Sequence, residues 1–391
     1  MKVFKDFYEG NRLHLSARDA CEIEARNLRE LSAQNHRHLT RPIAKVALGE
    51  SYLILSEWAD GGDLKNFWAQ EPNPLVDRAL ISEVVAQLCG LADAIELMHS
   101  GDYAGARSPV ISGSPSLPSV APPIFVGSDT EPDHVMETGA AVHGSSWRHG
   151  DLKPENILRF LESDRSIGTL RVADLGLAKH HKVPTRFRNL GSSTRFGTEV
   201  YEPPEAVIQR LAPRSRLYDI WSFGCIMLEF VIWLLYGQKG LDEFWALPIE
   251  WEGTRFWCRL PPGRELGARL SDPTTQIIDK TLESVHACQN GAIRDLLLLT
   301  KNKVLVPALH DRVDALKLRQ LLQEIESKCK TPGYCNPDWP EHGARLPTAL
   351  RHILGHSSNS LLALPLTHGN AMAGIPMPKG ASRTKQVDPT G

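Results

Sequence analysis

His149-Gly150-Asp151-Leu152-Lys153-Pro154-Glu155-Asn156-Ile157-Leu158 gathers a carboxylate, an ammonium and an amide in one short stretch, and Asp174-Leu175-Gly176 adds a second carboxylate downstream. The spacing suits phosphoryl transfer from ATP, a reaction in which the protein mainly positions groups and neutralises charge. In that scheme Asp151 accepts the proton of a substrate hydroxyl while Lys153 neutralises charge on the moving phosphoryl group. Asn156 and Asp174 hold the magnesium ions that bridge the phosphates. A lone Asp or Lys is usually solvated surface charge, so the argument rests on the combined string.

The rest of the chain must position these groups. Its 391 residues are enough for two lobes or two domains, 42% are hydrophobic and 23% are charged. A formal net charge of -2 gives no reason to invoke a nucleic acid or a membrane surface as partner. Seven cysteines are scattered without a C-x-x-C, which reads as thiols in a reducing, intracellular and cytoplasmic setting. Cys329 and Cys335 lie in a Pro/Gly-rich stretch where a metal or disulfide role is a minor expectation. The opening MKVFKDFYEG has no apolar run of signal-peptide length. Ile220 to Tyr236 is the most apolar stretch, but Glu229 interrupts it, and an all-apolar helix within a soluble chain reads as a core helix. Asp219 is placed as its cap or next to the cap.

Residues 1–5 read as a short strand and 18–33 as a helix, with Ile23, Asn27, Leu28 and Leu31 at helical steps. Tyr52-Leu53-Ile54-Leu55 is a strand, and Gly61-Gly62 marks a break before a helix beginning at Leu64. A long helix is expected over 79–99. Residues 101–146, rich in Gly, Ser and Pro, are expected to form a disordered insertion. Further helices are expected near 204–211, 219–236, 275–287, 291–299 and 312–326, followed by an irregular tail.

The motif string resembles that of eukaryotic-type protein kinases, and the LKPEN form is similar to that of Ser/Thr-directed members. Gly197-Thr198-Glu199-Val200-Tyr201-Glu202-Pro203-Pro204-Glu205 resembles the segment that closes the activation loop. Asp219-Ile220-Trp221-Ser222-Phe223-Gly224 resembles the start of the buried large-lobe helix. Arg312 stands where the family places the partner of Glu205. The layout is also similar to fungal kinase-domain proteins. The resemblance implies an α+β, bilobal protein-kinase-like fold with an incomplete N-terminal β-sheet lobe and a mainly helical C-terminal lobe. Its parts would be 1–57 as partial small lobe, 58–100 as hinge and start of the large lobe, 101–146 as insertion, 147–326 as large lobe and 327–391 as tail.

The same resemblance implies ATP and Mg2+ as cofactors and a protein as substrate. Lys2 would hold the α- and β-phosphates, paired with Glu24 or, second, with Glu22. Glu57 and Ala59 would offer backbone groups to adenine, with the small Ser56 behind them. Thr198 would hydrogen-bond near Asp151, and Leu175 would keep an apolar plug beside Asp174. Gly150 replaces the arginine that clamps an activation-loop phosphate, so Thr185, Ser192, Ser193 and Thr194 read as ordinary loop polarity. His149 is expected to pack, and His180 and His181 to be solvated. No G-x-G-x-x-G occurs, which implies either a truncated gene sequence or a partner-binding relative without catalysis. A sheet lacking that turn is expected to bind ATP weakly, to leave an open edge and to expose part of the apolar face of the 18–33 helix.

Overall fold

The computed structural model describes residues 1–9, 12–100, 147–163, 165–175, 179–180, 199–209, 214–247, 249–250, 253–260, 267–284 and 291–335. The expected insertion, Gly197, Thr198, His181 and the other activation-segment hydroxyls lie outside them. Met1–Leu354 form one compact unit.

The chain opens with β1 (Lys2–Phe4), a hairpin of β2 (Phe7–Glu9) and β3 (Arg12–Leu15), and α1 (Ala17–Ser32). The hairpin was not anticipated from the sequence, where the short run 7–15 carries no clean alternation. Ser16 caps α1 by accepting the Asp19 N–H at 3.0 Å, and Asp6 accepts the Ala17 N–H at 2.7 Å. β4 (Pro42–Leu48) and β5 (Ser51–Ser56) complete a three-stranded antiparallel sheet in the order β1-β5-β4, with Lys2 opposite Ile54.

The expected exposure of the α1 apolar face is confined to one residue. Cys21, Glu24, Ala25, Asn27, Leu28 and Leu31 are all buried, whereas Ile23, expected on that face, is 39% exposed. The buried stripe turns away from Ile23 and takes in polar Glu24, which an apolar count passes over, beside Asn27.

Next come α2 (Leu64–Gln70), capped by Asp63, and α3 (Arg78–Ser100), whose Leu80 N–H is accepted by Asp77 at 2.8 Å. Glycine at position 90 of α3 is a steric requirement: a Cβ there would lie 2.1 Å from His38 Nε2. His38 Nδ1 meets the Leu170 carbonyl at 2.7 Å, and burial lowers the imidazole to about 4. This contact ties the segment before β4 to the hairpin of β7 (Ile157–Glu162) and β8 (Arg165–Val172). β6 (Trp147–Arg148) pairs with β9 (Lys179–His180).

The remaining elements are α4 (Pro204–Ile208), α5 (Leu217–Ala246), β10 (Trp257–Arg259), β11 (Ala268–Leu270), α6 (Asp272–Ser284), α7 (Ala292–Leu299) and α8 (Ala315–Lys328). α5 runs ten residues past the expected 236, continuing beyond a break at Gly237, where φ is +66°. Its most apolar window is entirely buried, which makes it a core helix around which the others pack. α8 starts three residues later than expected, because Asp314 accepts the Lys317 N–H and sets the cap there. The chain beyond α8 is not irregular at once: Cys329 and Cys335 are buried free thiols, not a disulfide.

Candidate active site

Asp219 organises the loop that carries the motif. It lies in the first turn of α5, but the N-cap is Arg216, so Asp219 is not the cap. Its fully buried carboxylate accepts the backbone N–H groups of His149 and Gly150, each at 2.8 Å, and meets His99 Nε2 at 2.8 Å. Burial alone would push this carboxyl up, but the bonds from His99 and Gly150 and the neighbouring imidazoles outweigh it and hold it below the ordinary range. The grip turns Gly150 to φ +81°, a conformation that suits glycine and strains an arginine. His149 packs as expected. Its Nδ1 accepts the Asp151 N–H at 3.2 Å, so Nε2 carries the proton and donates it to the Ala173 carbonyl at 2.8 Å.

Three of the motif side chains meet directly. Lys153 Nζ lies 3.0 Å from Asp151 Oδ2. Asn156 Nδ2 donates to the Asp151 carbonyl at 2.8 Å and to Oδ2 at 3.1 Å, which leaves Asn156 Oδ1 as the acceptor side of the amide. The Ala173 N–H donates to the Asn156 carbonyl at 2.9 Å, fixing the approach of Asp174. Asp174 itself adopts φ +62°, an uncommon conformation for a residue with a side chain and one that aims its carboxylate out of the strand direction of β8.

Lys2 joins this group from β1. Its Nζ lies 2.6 Å from Glu24 Oε2 and 2.5 Å from Asp174 Oδ1. Glu22 points elsewhere and pairs with Lys45 at 2.5 Å, so Glu24 is the residue brought to Lys2. Burial alone would lower the Lys2 ammonium, but the two carboxylates more than offset this and leave it raised. Glu24 is pushed up to about 7, first by burial and then by the charge of Asp174, against the pull of Lys2.

Asn27 was missed as a site residue. Its Nδ2 donates to the Leu175 carbonyl at 3.0 Å, so α1 grips the Asp174 turn directly. The available signal was a polar residue on an otherwise apolar helical face.

The hinge segment follows β5. The Glu57 N–H donates to the Arg41 carbonyl at 3.4 Å, and the Ala59 carbonyl accepts the Gly62 N–H at 3.1 Å. The Glu57 carboxylate pairs with Arg171, whose guanidinium lies 4.0 Å from the Phe160 ring centre. Trp58 between them is 81% exposed. Backbone bonds between Gly61–Gly62 and Arg159 join this segment to β7.

Glu229, read from the sequence only as an interruption in an apolar run, is a buried carboxyl. It accepts Tyr201 Oη at 3.1 Å and Trp245 Nε1 at 2.9 Å, and burial pushes it up to about 8.

Residues 133–253 match the protein kinase domain family. The chain is 30% identical over 220 residues to CBL-interacting protein kinase 4 of Oryza sativa subsp. japonica, covering 53% of this chain and 42% of that protein. It is 38% identical over 90 residues to an Aurora kinase of Yarrowia lipolytica, covering 23% and 21% respectively. It is 31% identical over 121 residues to the meiosis induction protein kinase IME2/SME1 of Saccharomyces cerevisiae, covering 27% and 18%. The chain thus spans less than half the length of each of these relatives. The motif string, the family match over residues 133–253 and these relatives agree in likening the chain to the eukaryotic-type protein kinase superfamily.

Proposed function

We propose that this chain is the catalytic region of a protein serine/threonine kinase, transferring the γ-phosphoryl group of ATP to a Ser or Thr hydroxyl of a protein substrate. One observation carries the reading: Lys2 joins Glu24 and Asp174 at 2.6 and 2.5 Å, Asp151 meets Asn156 and Lys153 at 2.8 to 3.1 Å, and the Ala173 N–H ties the two groups by its 2.9 Å bond to the Asn156 carbonyl. In this reading the fold is bilobal, with 1–57 as the partial small lobe, the hinge at 58 and the large lobe over 147–326. Asp151 orients the substrate hydroxyl and takes its proton, and Lys153 neutralises the moving phosphoryl group. Lys2, held by Glu24, turns from Asp174 to the α- and β-phosphates. The Glu57 carbonyl and the backbone of Ala59 hold adenine.

Asn156 Oδ1 and the Asp174 carboxylate form an all-oxygen donor pair suited to a hard divalent cation. Magnesium held there would supply charge neutralisation at the bridging phosphates. The free thiols among the described residues are in keeping with an intracellular, cytoplasmic protein.

The second reading is a partner-binding relative without catalysis. It is favoured by the Lys2–Asp174 contact, which places an ammonium on a carboxylate that must otherwise receive metal. A labelled-ATP assay with wild type and Asp151→Ala decides between them. Transfer to Ser or Thr that falls by about 10²–10⁴ in the variant, with nucleotide binding kept, is the expected result. Equal rates for the two proteins would rule out Asp151 as the base, and no transfer by wild type would favour the second reading.

A further inference from the structure

α8 ends at Lys328, and the chain folds back at once through a tight return. The Thr331 N–H donates to the Lys328 carbonyl at 2.8 Å and the Tyr334 N–H to the Thr331 carbonyl at 3.3 Å. The far end of this return is fastened to α7. The Ala292 N–H donates to the Tyr334 carbonyl at 3.1 Å, and Tyr334 Oη donates to Asp295 Oδ2 at 2.6 Å. Lys328 Nζ reaches the same carboxylate oxygen at 3.1 Å.

The two ends of the return therefore approach each other, and each carries a buried cysteine. Cys329 is the C-cap of α8, and Cys335 closes the return. Their side chains hydrogen-bond each other, and the Arg78 guanidinium at the start of α3 acts on both. Other buried thiols of the core face apolar groups or carboxylates: Cys225 lies near Glu229, Cys258 bonds Glu250 and Cys89 bonds Glu326. Among the described residues, Cys329 and Cys335 are the thiols that bond each other.

We propose that Cys329 and Cys335 form a reversible redox latch that covalently closes the return after α8 and fixes it against α7. The oxidant is a peroxide. The Cys335 thiolate attacks one peroxide oxygen, the O–O bond breaks, and a sulfenic acid forms as hydroxide leaves. Cys329, giving up its proton, then attacks that sulfur and expels the second oxygen as water. Two thiols lose two electrons and two protons, hydrogen peroxide is reduced to two waters, and one S–S bond forms. A dithiol reverses the step.

The order of attack follows from the site. The hydrogen bond donated by Cys329, helped by the charge of Arg78 and against burial, holds the Cys335 thiol below its ordinary range, and the same bond, together with burial, raises Cys329. Both thiols are buried, so oxidation proceeds through local opening of the return. A disulfide needs an S–S bond of about 2.05 Å, and thiols already in hydrogen-bond contact reach it by small side-chain rotations.

The test uses the full chain, reduced and then exposed to hydrogen peroxide, with peptide mapping under non-reducing conditions. The expected result is a linked peptide pair holding Cys329 and Cys335, about two mass units lighter than the reduced pair and restored by dithiothreitol. The oxidised protein should melt about 2–4 °C higher than the reduced one. Cys335→Ser should lose both the link and the shift in melting. Recovery of both cysteines as alkylatable thiols from wild type, or oxidation of Cys335 only to sulfinic acid, would overturn the proposal without any variant having to fold.

Discussion

Glu205 and Arg312 lie 107 positions apart and meet as a bidentate pair, with Nη1 to Oε1 at 2.7 Å and Nη2 to Oε2 at 3.0 Å. The Arg312 side chain is fully buried; Nε donates to the Val306 carbonyl and Nη1 to the Leu217 carbonyl. One guanidinium therefore joins α4, the start of α5 and the segment before α8, with Trp221 beneath it at 5.1 Å.

Breaking this pair should cost more than its surface counterparts. Glu205→Ala leaves a buried guanidinium without its anion, and a loss of about 3–5 kcal/mol is expected. Chemical denaturation of wild type and variant measures it. A loss below about 1 kcal/mol would mean that Arg312 is satisfied by the two carbonyls alone.

Lys2→Met should weaken nucleotide binding with little change in fold stability. The buried Glu24, already pushed up to about 7, takes a proton once its cation is gone, so no bare charge remains. Affinity for ATP should fall about tenfold or more, equivalent to about 1.4 kcal/mol. Calorimetric titration reads the affinity, and an unchanged Kd would remove Lys2 from the phosphate site.

Stability should decline with pH through Glu229. Its folded value, pushed up to about 8, lies above the ordinary 4.5, so the folded state holds the proton more tightly. The contribution is full below about pH 4.5 and is lost as pH rises through 8. Glu229→Gln removes the titration while keeping an acceptor for Tyr201 and Trp245. The stability difference between wild type and this variant, followed by denaturant melts from pH 5 to 9, should move against wild type as pH rises. A flat difference would show that the carboxylate is stabilised as an ion.

Gly150→Arg, which restores the residue common in the family, should be unfavourable here. At φ +81° a side chain costs about 1–2 kcal/mol, and the strain falls on the two N–H bonds to Asp219. Catalytic turnover and stability should fall together. A variant as stable and as active as wild type would show that the loop tolerates the strain elsewhere.

Much of the chemistry is determined by sequence order, because the loop 149–156 is local. Asp151, Lys153 and Asn156 sit within six positions, and one tight turn brings them together. The core role of α5 is likewise legible, since an all-apolar helix can only be buried. Element ends are less so: the first helical run of α5 does stop at the non-helical Gly237, but a second run to Ala246 follows it unannounced.

What the tertiary structure alone decides is which distant groups share a charge. Lys2 has two candidate glutamates two residues apart, and the rotation of α1 selects Glu24 by burying it while turning Glu22 to Lys45. Asp219 looks like a capping residue and instead holds His149 and Gly150, because its carboxylate sits inside the protein where only backbone N–H groups and His99 can reach it. Asn27 and Glu229 carry no motif at all. A buried polar group must be paired, but its partner is chosen by packing, and packing is not written in spacing along the chain.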